Sequence, residues 1–185
     1  VSQGLWGEIQ NIGTSTGTFK ANLSPGTYRV EAEPSLSWES VNSNSPAKTL
    51  SNACVVPSTG SITCDITLAK PNLTASIVDP DGKEFDNAYA YIYYNSDTSK
   101  NFLSQVNIYQ GKIYINLPDG KYKLGIYPYN NSNILVTDAA YNVTVSGGVI
   151  TSISDFNSGA SISLDPNINL SLGRPSIYGT VYLPD

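Results

Sequence analysis

The phrase Asn22-Leu23-Ser24-Pro25-Gly26-Thr27-Tyr28-Arg29-Val30 returns as Asn116-Leu117-Pro118-Asp119-Gly120-Lys121-Tyr122-Lys123-Leu124. A second phrase does the same. Thr67-Leu68-Ala69-Lys70-Pro71, followed by Ser76 to Asp81, returns as Ser171-Leu172-Gly173-Arg174-Pro175, followed by Thr180 to Asp185. Self-similarity on this scale points to an array of small units rather than one large core. Leu23 and Leu117 lie 94 residues apart, and Pro71 and Pro175 lie 104 apart. One unit is therefore near the common size of a compact domain, with a loop of variable length.

The phase of the repeat divides the chain into a first unit over 1–70, a complete second unit over 71–175 and a further beginning over 176–185. Between Pro71 and Leu117 lie 45 residues, whereas 22 precede the matching Leu23. The first unit is thus expected to lack its first two strands, and Ser176 to Asp185 to form the first strand of another copy.

Hydrophobic periodicity is two. Phe19, Ala21 and Leu23 alternate with polar neighbours, Ser24-Pro25-Gly26 turns the chain, and Tyr28, Val30 and Ala32 alternate again. Ile113, Ile115 and Leu117, then Pro118-Asp119-Gly120, then Tyr122, Leu124 and Ile126 repeat the pattern. Val143 to Ile153 reads as another hairpin around Gly147-Gly148. Such alternation marks half-buried antiparallel strands. No stretch reads as a helix. The fold class is all-β, with tandem antiparallel immunoglobulin-like sandwiches.

Charge and composition narrow the partners. The chain is 14% charged with a net charge of −5 and contains no histidine. Its ten basic residues are scattered, so no basic stripe exists for nucleic acid. No apolar run approaches the ~18 residues that a membrane-spanning helix needs. Cys54 and Cys64 flank a segment centred on Thr59, and a hairpin there would set them opposite one another. A disulfide closing so short a loop contributes up to about 3 kcal/mol and indicates an oxidising, extracellular compartment.

The phrase Leu-x-x-Gly-x-Tyr, at Leu23 to Tyr28 and Leu117 to Tyr122, resembles the carboxypeptidase regulatory-like, prealbumin-like sandwiches related to the B-type repeats of bacterial collagen-binding adhesins. Asp79-Pro80-Asp81-Gly82 with Asn87-Ala88 is similar to that family's first hairpin. The resemblance implies a prealbumin-like sandwich over most of 71–175, and modules of this kind serve as spacers, adhesins and appendages to enzymes. Some B-type domains close a Lys–Asn isopeptide bond. Here the first strand, Asn72 to Val78, contains no lysine, which speaks against that crosslink.

Without histidine, Ser–His–Asp and Cys–His catalytic sets cannot be assembled. No cofactor and no metal set is expected, since Asp79, Asp81 and Asp86 read as turn residues rather than a calcium loop. The tyrosines carry more information. If Ala88, Ala90 and Ile92 point inward, Tyr89, Tyr91 and Tyr93 form a ladder on the outer face, and Tyr114 and Tyr127 alternate outward by the same rule. Three roles stay open for that ladder: sheet stiffening by ring packing, a protein interface or a sugar-stacking platform. Tyr28 and Tyr122 instead resemble tyrosine corners, with hydroxyls bonded to nearby backbone. Asn22, Asn72, Asn130, Asn142 and Asn169 each begin an Asn-x-Ser/Thr acceptor sequence for glycans.

These features point to a non-enzymatic protein of the cell surface, a fibre, stalk or pilus-like structure whose partners are its own neighbours. The displaced phase has two readings. In one, the units belong to a longer tandem chain. In the other, Ser176, Ile177, Tyr178, Thr180, Val181, Tyr182 and Leu183 act as a donor strand that completes the first unit of the next molecule. The alternative function is a carbohydrate-binding adhesin module that uses the tyrosine ladder on surface glycans.

Overall fold

The computed structural model describes residues 22–34, 41–94, 102–129, 136–165 and 167–175. Among them the fold is all-β, with no helix. Twelve strands follow in order: β1 (Gly26–Tyr28), β2 (Glu31–Ala32), β3 (Lys48–Leu50), β4 (Cys54–Val56), β5 (Leu73–Val78), β6 (Ala88–Tyr94), β7 (Phe102–Asn107), β8 (Lys112–Asn116), β9 (Gly120–Pro128), β10 (Ala139–Ser146), β11 (Val149–Asp155) and β12 (Asn169–Ser171). They form a two-stranded ribbon β1-β4 and two five-stranded sheets, ordered β11-β10-β9-β6-β7 and β12-β5-β8-β3-β2.

Alternation builds the interior directly. Leu73, Ala75 and Ile77 of β5 and Ile113 and Ile115 of β8 turn inward from one sheet. Ala88, Ala90 and Ile92 of β6 and Tyr122, Leu124 and Ile126 of β9 turn inward from the other. All belong to one core, in which each large aliphatic side chain contributes about 1.5–3 kcal/mol. The two β6 alanines leave room for bulkier partners, and the opposite face of β6 is thereby assigned to its tyrosines.

The corner tyrosines form as the repeated phrase implies. Tyr122 Oη donates to Pro118 O at 2.7 Å, and Tyr28 Oη donates to Ser24 O at 2.8 Å. Gly147 and Gly148 take φ values of 63° and 76°, the left-handed pair that a two-residue β10–β11 turn requires.

The joins differ from a wholly antiparallel scheme. β12 runs parallel to β5, with Leu170 opposite Ile77, and β3 runs parallel to β8, with Lys48 opposite Ile115. In each case the partners are distant in sequence, so no tight turn dictates their direction. The second join carries β2 and β3, which precede Pro71, into the same sheet as β5, β8 and β12. Leu50 of β3 enters the common core.

Cys54 and Cys64 form a disulfide with their Cα atoms 6.1 Å apart. The hairpin expected between them is absent. β4 spends its hydrogen bonds on β1, with Gly26 opposite Val56 and Tyr28 opposite Cys54, and residues 57–72 carry no ladder. Pro57, which lacks an N–H, ends β4 before it could pair with the chain returning to Cys64.

Candidate functional site

The outer face of the β11-β10-β9-β6-β7 sheet collects the aromatic side chains. Tyr89 pairs with Tyr127, Tyr91 with Gly125 and Tyr93 with Lys123 across β6 and β9. On the other side Tyr89, Tyr91 and Tyr93 face Asn107, Gln105 and Phe102 of β7. The register therefore draws Tyr89, Tyr91, Tyr93 and Tyr127 into one cluster, which Phe102 and Tyr129 complete. Phe102 is 36% exposed and Tyr129 44% exposed, whereas the four ladder tyrosines are half-buried against one another.

Ring geometry says how they pack. Tyr89 and Tyr127 stack at 5.6 Å with planes 21° apart. Most remaining pairs are edge-on or tilted: Tyr89–Tyr91 at 60°, Tyr91–Tyr93 at 86° and Tyr91–Phe102 at 89°. Edge-to-face contacts place positive ring edges on negative faces and contribute about 0.5–1.5 kcal/mol per pair beyond burial. Burial raises the Tyr93 phenol above its ordinary pKa, and a hydrogen bond with Tyr127 adds to the rise. Burial and neighbouring Tyr91 raise Tyr89 in the same direction.

Gly125 is the floor of this cluster. A Cβ at this position would lie 2.7 Å from Tyr127 Oη and 2.8 Å from its Cε2, so the ring rests directly on the glycine. Gly125→Ala is expected to expel Tyr127 and to cost about 1 kcal/mol despite alanine's better backbone propensity. Near-UV circular dichroism and urea unfolding check this. An unchanged tyrosine signal at unchanged stability would mean that the ring is not held there.

Tyr114 lies elsewhere. It sits on β8, opposite Thr74, in the other sheet, beside a shallow cleft lined by Glu33, Pro34, Pro46, Lys48 and Tyr109. Alternation on a strand gives inside or outside but not which sheet, and this is why Tyr114 and Tyr127 read alike in the sequence. Phe102 and Tyr129 escaped the sequence reading. For Tyr129 the signal is present, since it continues the alternation of Tyr127.

The glycan-acceptor asparagines have unequal surroundings. Asn22 and Asn169 are exposed, and Asn142 is half-buried on β10 with its Nδ2 3.5 Å from Ser154 Oγ. Asn130 lies outside the described residues. Asn72 has its amide fully engaged: Nδ2 donates to Leu117 O at 2.8 Å and to Gly148 O at 3.2 Å, and Oδ1 accepts from Leu117 N at 2.9 Å. Asp119 reinforces the same end of the fold, its two carboxylate oxygens accepting from Gly147 N and Gly148 N at 2.8 Å each. Those two backbone bonds hold its carboxyl below the ordinary range.

Asp79 Oδ1 accepts from Asp81 N and Lys83 N at 2.9 Å each, closing the Asp79-Pro80-Asp81-Gly82 turn, and Asp81 pairs with Arg174. Lys70 Nζ donates to Asn44 Oδ1 at 3.2 Å. Among the described residues no three His, Cys, Asp or Glu side chains converge as a metal-holding group. Nor is any helix there long and apolar enough to cross a membrane. The segment containing Ser176, Ile177, Tyr178, Thr180, Val181, Tyr182 and Leu183 lies outside the described residues. No family model, curated protein or solved structure matches the chain.

Proposed function

We propose that this chain is a non-enzymatic structural protein of the cell exterior, a fibre, stalk or pilus-like element built of tandem immunoglobulin-like, prealbumin-like sandwiches. The observation that carries this reading is the sheet shared across the repeat boundary. Strands β2 and β3 from before Pro71 continue the sheet formed by β5, β8 and β12. Lys48 fastens the join. Its Nζ, held 3.1 Å from the Glu31 and Glu33 carboxylates of its own unit, donates across the join to Gln105 O at 2.8 Å. Arg29 places its guanidinium 4.9 Å from the centre of the Tyr94 ring. Units that share a sheet are held in series, as a stalk requires, and the disulfide suits an oxidising exterior.

Neighbouring molecules would join head to tail, Ser176 to Leu183 acting as donor strand for the first unit of the next. The interlocked, mostly edge-on rings of the tyrosine face favour sheet stiffening over a flat platform for sugars. Light scattering on the purified chain, with negative-stain microscopy, tests the assembly. Filaments or ladders of oligomers that vanish on deleting 176–185 are the expected result. A monomer at every concentration would sink self-assembly and leave only a tandem stalk.

A further inference from the structure

The segment carrying β1–β4 is attached to the rest of the molecule in an unusual way. Its strand β3 sits on the edge of β8, and Ala47, Thr49 and Leu50 are buried there. The chain that leads from β4 to β5 nevertheless bonds back to the segment it comes from. Ala69 O accepts from Ala47 N at 2.9 Å, Lys70 bonds to Asn44, and the disulfide closes between Cys54 and Cys64. The ribbon β1-β4 is internal to the same segment. Among the described residues the segment thus forms an arm with its own internal ties, docked on the second unit by one short strand pairing and a few side chains, with its covalent crossing at Pro71.

We propose that β8 is a strand-accepting edge for a second copy of this chain, and that the β1–β4 arm is the donor, exchanged between molecules by opening at Pro71. Exchange recreates every non-covalent contact of the arm in the neighbour: the Lys48 latch to Gln105, the Leu50 plug in the core and Arg29 over Tyr94. Only the chain direction at Pro71 changes, which is why such swaps have a low energetic cost. Vacated, β8 would present unpaired backbone groups along the edge where β3 now pairs, a template for the same strand from elsewhere. The proposal rests on the fibre reading and supplies it with a second junction, distinct from the C-terminal donor strand.

The test uses the full chain. Nitrogen-15-labelled and unlabelled protein are mixed, unfolded in guanidinium with the disulfide intact, refolded together at high concentration and treated with an amine-reactive cross-linker. Lys48 on β3 and Lys112 on β8 report the join. Cross-linked Lys48–Lys112 peptide pairs with one labelled and one unlabelled half, approaching half of all such pairs, are the expected result. Isotopically pure pairs alone would overturn arm exchange, even in a sample full of oligomers, which would then be assembled through 176–185. Mixed pairs found only in closed dimers would uphold the exchange while sinking the fibre.

Discussion

Asn72→Ala should lower unfolding stability by about 3 kcal/mol, a larger effect than any single surface substitution normally produces. The three hydrogen bonds of the Asn72 amide tie the chain entering β5 to both polar groups of Leu117 and to the β10–β11 turn at Gly148. Leu117 is 2% exposed, so truncation leaves its N–H and carbonyl without their protein partner, reached by water only through the half-buried site of Asn72. Each net hydrogen bond contributes about 1 kcal/mol, and stranding the partners adds to the loss. Asn72→Asp keeps the acceptor for Leu117 N but turns a carboxylate toward two carbonyls, so it should be no better. Because Asn72-Leu73-Thr74 is also a glycan-acceptor sequence, Thr74→Val is the control. It abolishes the acceptor sequence and leaves the amide clasp intact. Guanidinium unfolding of the three variants decides the matter. If Thr74→Val lost as much stability as Asn72→Ala, or if Asn72→Ala lost less than about 1 kcal/mol, the clasp would not be a structural determinant.

How much of this was legible beforehand depends on the range of the interaction. The tyrosine corners are local, closed over four residues by a hydroxyl and a carbonyl, and the repeated Leu-x-x-Gly-x-Tyr phrase announces them. The inward turn of Ala88, Ala90 and Ile92 follows from strand period and side-chain size, and so does the outward row of Tyr89, Tyr91 and Tyr93. The cysteine pairing was readable from spacing, but the hairpin drawn for it was not, because β1 competes for β4 from further away. The docking of β3 on β8 joins residues 67 apart, and its register is set by the burial of Leu50 rather than by any turn. Asn72 shows the same limit from another side. In the sequence it looks like an exposed acceptor, and only the fold reveals that the turns at Leu117 and Gly148 converge on its amide.

Raising the pH above 10 should destabilise the protein, in part through Tyr141. This residue is 3% exposed on β10, and its Oη donates to Ser171 O at 2.6 Å, linking one five-stranded sheet to the other through β12. Burial, with a smaller contribution from the Asp155 carboxylate, pushes its phenol up from 10.0 to about 12. The folded state therefore holds the proton more tightly than the unfolded chain does. The stability linked to that proton is fully present below pH 10 and is lost as the pH rises from 10 to about 12. Over that span the loss is at most about 3 kcal/mol, and ionisation also removes the only proton that Tyr141 Oη can donate to Ser171. Tyr141→Phe should cost about 1 kcal/mol at neutral pH, the ordinary value of a lost hydrogen bond. Its stability should then fall less steeply above pH 10 than that of the native chain, the remaining decline belonging to Tyr122, Tyr93 and Tyr89, whose phenols burial also raises. Urea midpoints measured from pH 8 to pH 12 give both slopes. Equal slopes for the two proteins would mean that Tyr141 is not the alkaline weak point, and that the tie between β10 and β12 outlasts its ionisation.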